Sequence, residues 1–309
     1  MISNDLVSGT DAVPEPCAPY DGWDMHCHTT FSDGTETPET MVRQAKELGL
    51  HGLAICDHDT TAGWADVSVA ARRHRFPVVR GSEITTDFHG VSVHLLAYLY
   101  NPDDRAILEL FAATRARRLE RARRMVERLG EDYPITWDDV LAQAKKGGET
   151  TVGRPHIADA LVQAGAYPDR SAAFAGAVSA GAKYYIPIQS PSTDDVIRAV
   201  KAAGGVSVVA HPGDPSRNRR LLDDGELEEL IAAGLDGLEV FHRGNPPEQR
   251  ARLHAIAMRH GLIVTGGSDW HGKGKPNGLG ENVAEDGMVA RILERGAIDL
   301  VPAPARSRR

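Results

Sequence analysis

The sequence predicts an α/β barrel that is interrupted by a small helical domain. Short apolar runs alternate with amphipathic stretches at intervals of about 25 to 30 residues, which is typical of strand, helix, strand units with parallel strands. The alternation stops near Pro102 and resumes after Pro187. Because a barrel of roughly 250 residues folds as one unit, a barrel with an insertion accounts for the 309 residues.

The predicted strands are short apolar runs, and two stretches between the first three runs have helical spacing. Pro38 directly follows Thr37, an order that is typical of the first helical residue after its cap. The predicted strands are 23–28, 52–57, 77–82, 93–99, 205–211, 234–241 and 262–267, and the predicted helices are 38–49 and 61–74.

The helical domain is predicted from a segment without a convincing strand. It includes an arginine-rich stretch, residues 114–129, with seven arginines against Glu120 and Glu127. Such a run is usual on a solvated helix face with pairs four residues apart, and a path for RNA along the insertion is the alternative. The predicted boundaries are 20–101 and 188–301 for the two parts of the barrel, 102–187 for the insertion, and 1–19 and 302–309 for flexible tails.

Composition and charge narrow the class of protein. The net charge of −8 argues against a large basic surface for duplex nucleic acid but leaves small phosphorylated substrates open. No window approaches the roughly 20 uncharged apolar residues of a membrane span, and the first residues lack the pattern of a secretory signal. Cys17, Cys27 and Cys56 lack metal or redox spacing. We therefore expect a cytoplasmic protein with reduced thiols, no membrane association and no obligate protein partner.

Histidines and carboxylates recur where the predicted strands end. In the first strand, a period of two places Asp24, His26 and His28 on one face. Functional side chains of parallel α/β folds cluster at the carboxyl ends of strands, so we expect these residues to meet at one rim. His94 is the exception, because it begins an apolar run. The nine candidates are His26, His28, Asp33, His58, Glu83, His94, His211, Asp269 and His271.

The chemistry of these candidates indicates a metal centre. Imidazole and carboxylate without thiolate suit manganese, zinc or iron, and nine ligands are too many for one ion. Three divalent ions against three carboxylates would leave a surplus of about +3, which attracts a phosphate monoester. Bound metals also polarise phosphate oxygens and lower the pKa of water toward ~7. We therefore expect two or three divalent ions, manganese before zinc or iron.

The ordered set of motifs resembles the PHP (polymerase and histidinol phosphatase) family of metal-dependent phosphoesterases. The resemblance implies a distorted (β/α)7 TIM-like barrel with the metals at the carboxyl ends of the strands. The chain looks most like the branch of nucleoside 3′,5′-bisphosphate phosphatases, whose relatives trim short RNAs from the 5′ end. That branch carries a helical insertion with a Gly-Arg-Pro-His element, here residues 153–156. The matching motifs are His26-Cys27-His28, Asp33-Gly34, Asp57-His58-Asp59, Glu83, His94, Ala210-His211-Pro212 and Ser268-Asp269-Trp270-His271.

The resemblance also implies how the ligands divide among the metals. Glu83 would bridge the first and third ions, and Asp269 and His271 would take part in catalysis through the metals, with the general acid left unassigned. The first ion would be bound by His26, His28, Glu83 and Asp269, the second by Asp33, His58 and His211, and the third by Glu83, His94 and His271.

The activity that the resemblance implies is hydrolysis of the 3′-phosphate of nucleoside 3′,5′-bisphosphates. Hydroxide held between the metals would attack adenosine 3′,5′-bisphosphate to give AMP and phosphate, and short RNA is a further candidate substrate. The alternatives are a phosphatase for histidinol phosphate or another small molecule, and a non-catalytic, metal-stabilised module that binds nucleic acid or a polymerase. The predicted substrate contacts are Arg154, His156, Lys183 and Arg243.

Overall fold

Seven strands form one sheet in the order of the chain. The structure, a computed structural model, describes residues 15–145, 150–218 and 220–302, so residues 1–14 and 303–309 of the predicted tails lie outside the described residues. Each strand lies within about three residues of its predicted start, and the longest exceeds its prediction at the carboxyl end. The strands are β1 (Trp23–Cys27), β2 (Gly52–Ile55), β3 (Val78–Phe88), β4 (Val91–Tyr98), β5 (Val206–Val209), β6 (Gly237–Phe241) and β7 (Ile263–Gly266).

Helices follow most strands, and half of the helices in the described residues begin at a residue whose side chain caps the first turn. The first helix starts at Pro38, because the Thr37 side chain accepts a hydrogen bond from the amide of Thr40, and it ends before Gly49, which has a φ of 85°. The helices are α1 (Pro38–Leu48), α2 (Trp64–His74), α3 (Arg105–Leu129), α4 (Trp137–Ala142), α5 (Arg154–Gln163), α6 (Arg170–Ala175), α7 (Thr193–Ala202), α8 (Asp224–Ala233), α9 (Pro247–His260) and α10 (Asp286–Arg295).

The sheet closes almost completely into a barrel, which confirms the predicted fold class. After β1, the amide of His28 donates to the carbonyl of Trp270, 2.8 Å away in the segment that follows β7. Strands β2, β5 and β7 are buried at every residue, as expected for strands that are covered on both faces. The carboxyl ends of the parallel strands therefore surround one rim.

One strand runs against the others. Strand β4 is antiparallel to both β3 and β5, whereas the remaining neighbours are parallel. The beginning of an antiparallel strand lies at the edge where its parallel neighbours end. His94 pairs with Thr85 and its carbonyl accepts from the amide of Ala210 at 2.9 Å. This reversal explains why a rim residue stands near the start of its strand.

Helices α3 to α6 lie between β4 and β5 in the chain. Residues from Ala122 to Ile186 form an apolar cluster that is separate from the core of the barrel. The first turns of α3 belong to the barrel instead, since Ile107 and Phe111 pack in its core. Helix α3 thus joins the two cores. No helix of the described residues has an apolar stretch sufficient to cross a membrane.

We expect Leu95→Ala in β4 to destabilise the barrel by about 2–5 kcal/mol, since Leu95 is fully buried and the truncation leaves a cavity. Leu108→Ala in α3 is the matched control, because this leucine is 49% exposed. The midpoint of urea unfolding measures both. Equal midpoints for the two variants would contradict the assignment of β4 to the core.

Candidate metal centre

The structure brings the nine candidate ligands together in three overlapping groups. Within each group, the ligand atoms lie within 4.8 Å of one another, and all the residues except the half-buried His94 are buried. Groups of this kind can each hold one metal ion. The first group is His26, His28, Glu83 and Asp269, the second is His28, Asp33, His58 and His271, and the third is Glu83, His94 and His211.

The groups in the structure differ from the implied division of the ligands at three positions. His28, expected in the first group alone, also belongs to the second. His271 was expected in the third group, but its Nε2 lies 3.1 Å from Asp33 Oδ1 in the second. His211 was expected in the second group, but its Nε2 lies 3.3 Å from Glu83 Oε1 in the third. The order of the strands is the reason. His271 follows β7, which lies next to β1, whereas His211 follows β5, which lies next to β4.

Glu83 joins the first and third groups. One of its oxygens, Oε1, lies 2.6 Å from His94 Nδ1, and the other, Oε2, lies 3.1 Å from His28 Nε2. A backbone bridge between His58 and Glu83 sets the segment that follows β2 level with the middle of β3. Since the two carboxylate oxygens point to different groups, Glu83 is suited to bridge two ions.

Strained turns direct several side chains of the rim. His211 has a φ of 34° and Asp269 a φ of 53°, and Asp59, which follows His58, has a φ of 51°. Residues other than glycine in this region cost on the order of 1–3 kcal/mol each and persist where the surrounding structure holds them. Such strain is common at functional sites, and three of the seven non-glycine residues with positive φ in the described parts of the chain lie at this rim.

The second group fits a cation because two lone pairs face each other in it. His271 Nδ1 lies 2.8 Å from the carbonyl of Asp269 and must donate to it, so Nε2 of the neutral ring carries a lone pair. Burial and the nearby Lys275 lower the pKa of His271 to about 4, which keeps the ring neutral. Neither this Nε2 nor the adjacent Asp33 Oδ1 has a hydrogen-bond partner within the described parts of the chain. A divalent ion between them would satisfy both.

Electrostatics in the first group also favour a cation. Burial opposes a charge on the ring of His28, yet hydrogen bonds with Asp269 and Glu83 raise its pKa to about 9. Protons on the histidines thus compensate the buried carboxylates. A metal ion supplies the same positive charge and releases those protons.

A buried carboxylate that the sequence interpretation missed supports two of the ligands. Glu239 in β6 is fully buried, and its Oε1 lies 3.0 Å from His26 Nδ1. Its Oε2 accepts from the amide of His211 at 2.7 Å. A carboxylate on Nδ1 leaves the Nε2 lone pair of the ligand free for metal. The signal in the sequence was a lone acidic residue within the apolar strand Gly237–Phe241.

Two further carboxylates hold the loops that carry ligands. Asp57 accepts from the amide and hydroxyl of Thr29 and from the hydroxyl of Ser32, which fixes the loop before Asp33. Asp24 accepts from the amide and hydroxyl of Ser268, next to Asp269. Burial raises the pKa of Asp24 to about 6 despite these bonds. Both residues therefore support the centre from outside it.

Two cations that the sequence interpretation did not assign to the site meet Asp269. Its Oδ1 faces His26 and His28, each at 3.5 Å, whereas its Oδ2 contacts Arg217 Nη2 at 2.6 Å and Lys275 Nζ at 2.7 Å. These cations place positive charge beside the candidate metal groups.

The predicted substrate contacts lie in different surroundings. Arg154 is half-buried at the start of α5 and stacks on aromatic rings. His156 is buried and accepts from the amide of Gly153 at 3.1 Å, so it stabilises the start of this helix. Lys183 is 68% exposed and pairs with Asp132 within the insertion. Arg243 is exposed, 3.4 Å from Glu281.

We expect Glu239→Gln to weaken manganese binding by about 10–100-fold. Glutamine replaces one carboxylate oxygen with an NH2 group, which cannot accept the hydrogen bond from His26 or from the amide of His211 that this oxygen now accepts. Competition with a fluorescent chelator measures the affinity. The control is Glu248→Gln on the exposed side of α9. Equal affinities in the two variants would refute the supporting role of Glu239.

Comparisons with known proteins agree with this site. The PHP domain family matches residues 24–148. A 3′,5′-nucleoside bisphosphate phosphatase from Chromobacterium violaceum is 31% identical to this chain, and the alignment covers 82% of this chain and 88% of the relative. A 5′-3′ exoribonuclease from Haemophilus influenzae is 31% identical, with 81% of this chain and 89% of the relative covered. A phosphoribosyl 1,2-cyclic phosphate 1,2-diphosphodiesterase from Eggerthella lenta is 32% identical, with 81% and 94% covered.

A solved structure agrees over almost the whole chain. It is from Bifidobacterium adolescentis, is described as a metal-dependent phosphoesterase, and is 65% identical with a TM-score of 0.90. The superposition covers 92% of this chain and 99% of that one. The non-catalytic alternative is not supported, because the full-length relatives are named as enzymes. The chain belongs to the PHP family and is a metal-dependent phosphoesterase.

Proposed function

We propose that this enzyme removes the 3′-phosphate from nucleoside 3′,5′-bisphosphates. The observation that carries the proposal is a group of arginines on the insertion, beside the candidate metal centre. The positive charge of this group exceeds the negative charge of its neighbours. Such a group can bind the phosphate that is not hydrolysed, while the metal centre takes the one that is. The name of the relative from Chromobacterium violaceum supports the same substrate.

Arg121 and Arg154 form the positive part of this group. Their guanidinium groups lie 5.0 Å and 5.7 Å from the centroid of the Tyr185 ring. Burial and the neighbouring Arg154 lower the pKa of Arg121 to about 10, as expected when two cations lie together. The Nη2 atom of Arg121 is buried without a hydrogen-bond partner in the described part of the chain. A phosphate would supply the acceptor, and guanidinium binds phosphate with two parallel hydrogen bonds.

Arg118 connects this group to the metal centre. Its Nε contacts Asp59 Oδ2 at 2.7 Å, and its guanidinium hydrogen-bonds to Thr85. Asp59 follows the candidate ligand His58, and Thr85 pairs with His94. Arg118 and Arg121 both belong to the arginine-rich stretch, residues 114–129. The sequence analysis interprets this stretch as a solvated helix face, with a path for RNA as the alternative. In the structure these two arginines turn inward, which favours a phosphate site beside the middle of helix α3.

The residues of the centre have distinct roles in the proposed reaction. When bound, the divalent ions neutralise charge on the phosphate and activate the attacking water. The nine histidine and carboxylate side chains hold the ions, and Glu239 orients His26. Arg217 and Lys275 contact the outer oxygen of Asp269, and from this position their N–H groups would donate to oxygens of the reacting phosphate. Residues of the barrel thus bind the reacting phosphate, and residues of the insertion bind the other one.

The first experiment is phosphate release by the manganese-loaded enzyme, with a chelated sample as control. The substrates are adenosine 3′,5′-bisphosphate, histidinol phosphate, a short 5′-phosphorylated RNA and a ribose 1,2-cyclic phosphate. We expect metal-dependent release to be fastest from the bisphosphate. Preferential cleavage of the RNA or of the cyclic ester would instead assign the enzyme the activity of one of the other relatives, and preference for histidinol phosphate would favour the small-molecule alternative.

We expect Arg154→Ala to lower kcat/KM for adenosine 3′,5′-bisphosphate by about 10–100-fold, because a charge-assisted hydrogen bond is worth about 1.5–3 kcal/mol. Adenosine 3′-monophosphate lacks the second phosphate, so its kcat/KM should change little. Arg117→Ala, an exposed position on α3, is the control. Equal losses for both nucleotides would show that Arg154 does not contact the second phosphate.

A further inference from the structure

Arg170, the first residue of α6, connects the insertion to two loops of the candidate metal centre. Its Nη1 donates to the backbone carbonyl of Asp33 at 2.8 Å. The same guanidinium lies against Gly274, three residues after His271. Asp33 and His271 belong to the same group of candidate ligands. One side chain of the insertion thus touches both loops that complete this group.

We infer that Arg170 is a positioning residue through which the insertion sets the metal affinity of the group formed by His28, Asp33, His58 and His271. The inference rests on the proposed metal centre but not on the proposed substrate. Arg170 touches no candidate ligand atom. It acts on the backbone that carries Asp33 and on the turn that follows His271.

The guanidinium of Arg170 is held in one orientation by its hydrogen bonds, unlike that of a solvent-exposed arginine. Asp159 in α5 accepts from its Nε at 2.7 Å and from its Nη2 at 2.5 Å, so the carboxylate binds one edge of the guanidinium with two parallel hydrogen bonds. The side chain of Arg170 is only 10% exposed. Its Nη1 is thereby aimed at the backbone of Asp33. Lysine could not reproduce this geometry, because its ammonium has no planar fork.

The loop that carries Asp33 is held by the barrel and by the insertion. On the barrel side, Asp57 holds its beginning through Thr29 and Ser32, and the amides of Gly34 and Thr35 donate to the carbonyls of Thr29 and His271. The insertion supplies other contacts along the same loop: the amide of Thr151 donates to the carbonyl of Phe31 at 3.0 Å, and Lys145 donates to that of Thr35 at 2.7 Å. Arg170 acts between these two points, at the residue whose side chain would bind metal.

Asp33 needs accurate placement because its Oδ1 faces a lone pair of His271 at 3.1 Å. The two acceptors repel each other until a cation lies between them. A loop that is free to move would separate them and lose one ligand of the ion. Partners in the outer shell of a metal site typically change its affinity by about 10–100-fold, and Arg170 has the position of such a partner for the loop.

Manganese binding and hydrogen exchange test the inference, with Arg105→Ala as the control because Arg105 is 91% exposed at the start of α3. In Arg170→Ala we expect one manganese ion to bind about 10–100-fold more weakly and the remaining ions to bind as in the wild type. The amides of residues 32–35 should exchange faster, while the melting temperature of the barrel stays close to that of the control.

A second variant provides the same test without removing the arginine. A methyl group at position 274 would overlap Nη1 of Arg170, so Gly274→Ala should displace the guanidinium and weaken the same ion. This variant decides the matter if Arg170→Ala fails to fold. Manganese affinity and exchange equal to those of the control in the folded variants would overturn the inference.

The outcomes separate this inference from the proposed substrate. Weaker manganese binding in the variants, together with no hydrolysis of adenosine 3′,5′-bisphosphate by the wild type, would reject the substrate and keep the role of Arg170. Absence of manganese binding by the wild-type chain would overturn both.

Discussion

The site depends on one electrostatic constraint: buried carboxylates and imidazole lone pairs face one another across distances that only a cation makes favourable. Asp33 Oδ1 and His271 Nε2 are 3.1 Å apart, and the proton of His271 is committed to a carbonyl on the other side of the ring. Strained turns at His211 and Asp269 keep side chains in this unfavourable proximity. The folded barrel therefore includes the unfavourable free energy of holding these side chains together before any ion binds.

The closed order of the strands decides which ligands meet. Reversal of β4 brings His94 to the rim, where Glu83 on β3 and His211 after β5 complete its group. Near closure between β1 and the segment after β7 brings His271 to Asp33 instead. Pairing across the sheet thus divides one ring of ligands into three groups.

The sequence was sufficient to predict the features that depend on local patterns, which are the strands and the candidate metal ligands. Apolar runs located the strands, and polar residues near the ends of these runs indicated the candidates, with His94 as the exception at the beginning of its run. Strand periodicity and strand ends are local properties, which is why a sequence pattern contains them. The exchange of His211 and His271 could not be predicted, since it depends on which strands are neighbours. Glu239 was hidden because one acidic residue in an apolar strand has no spacing to mark it. Arg118 and Arg121 could not be distinguished from the exposed arginines of the same helix without knowing which face turns inward.

We propose two roles for the insertion: its arginines bind a second phosphate, and Arg170 holds the loop of Asp33. The central claim is that three groups of side chains hold the metal. Anomalous diffraction from manganese-soaked crystals tests it most directly. The account predicts peaks within the groups around Asp33, around Asp269 and around His94, with His271 beside the first of these and His211 beside the last. Peaks that lie away from these side chains, or none at the rim, would contradict it.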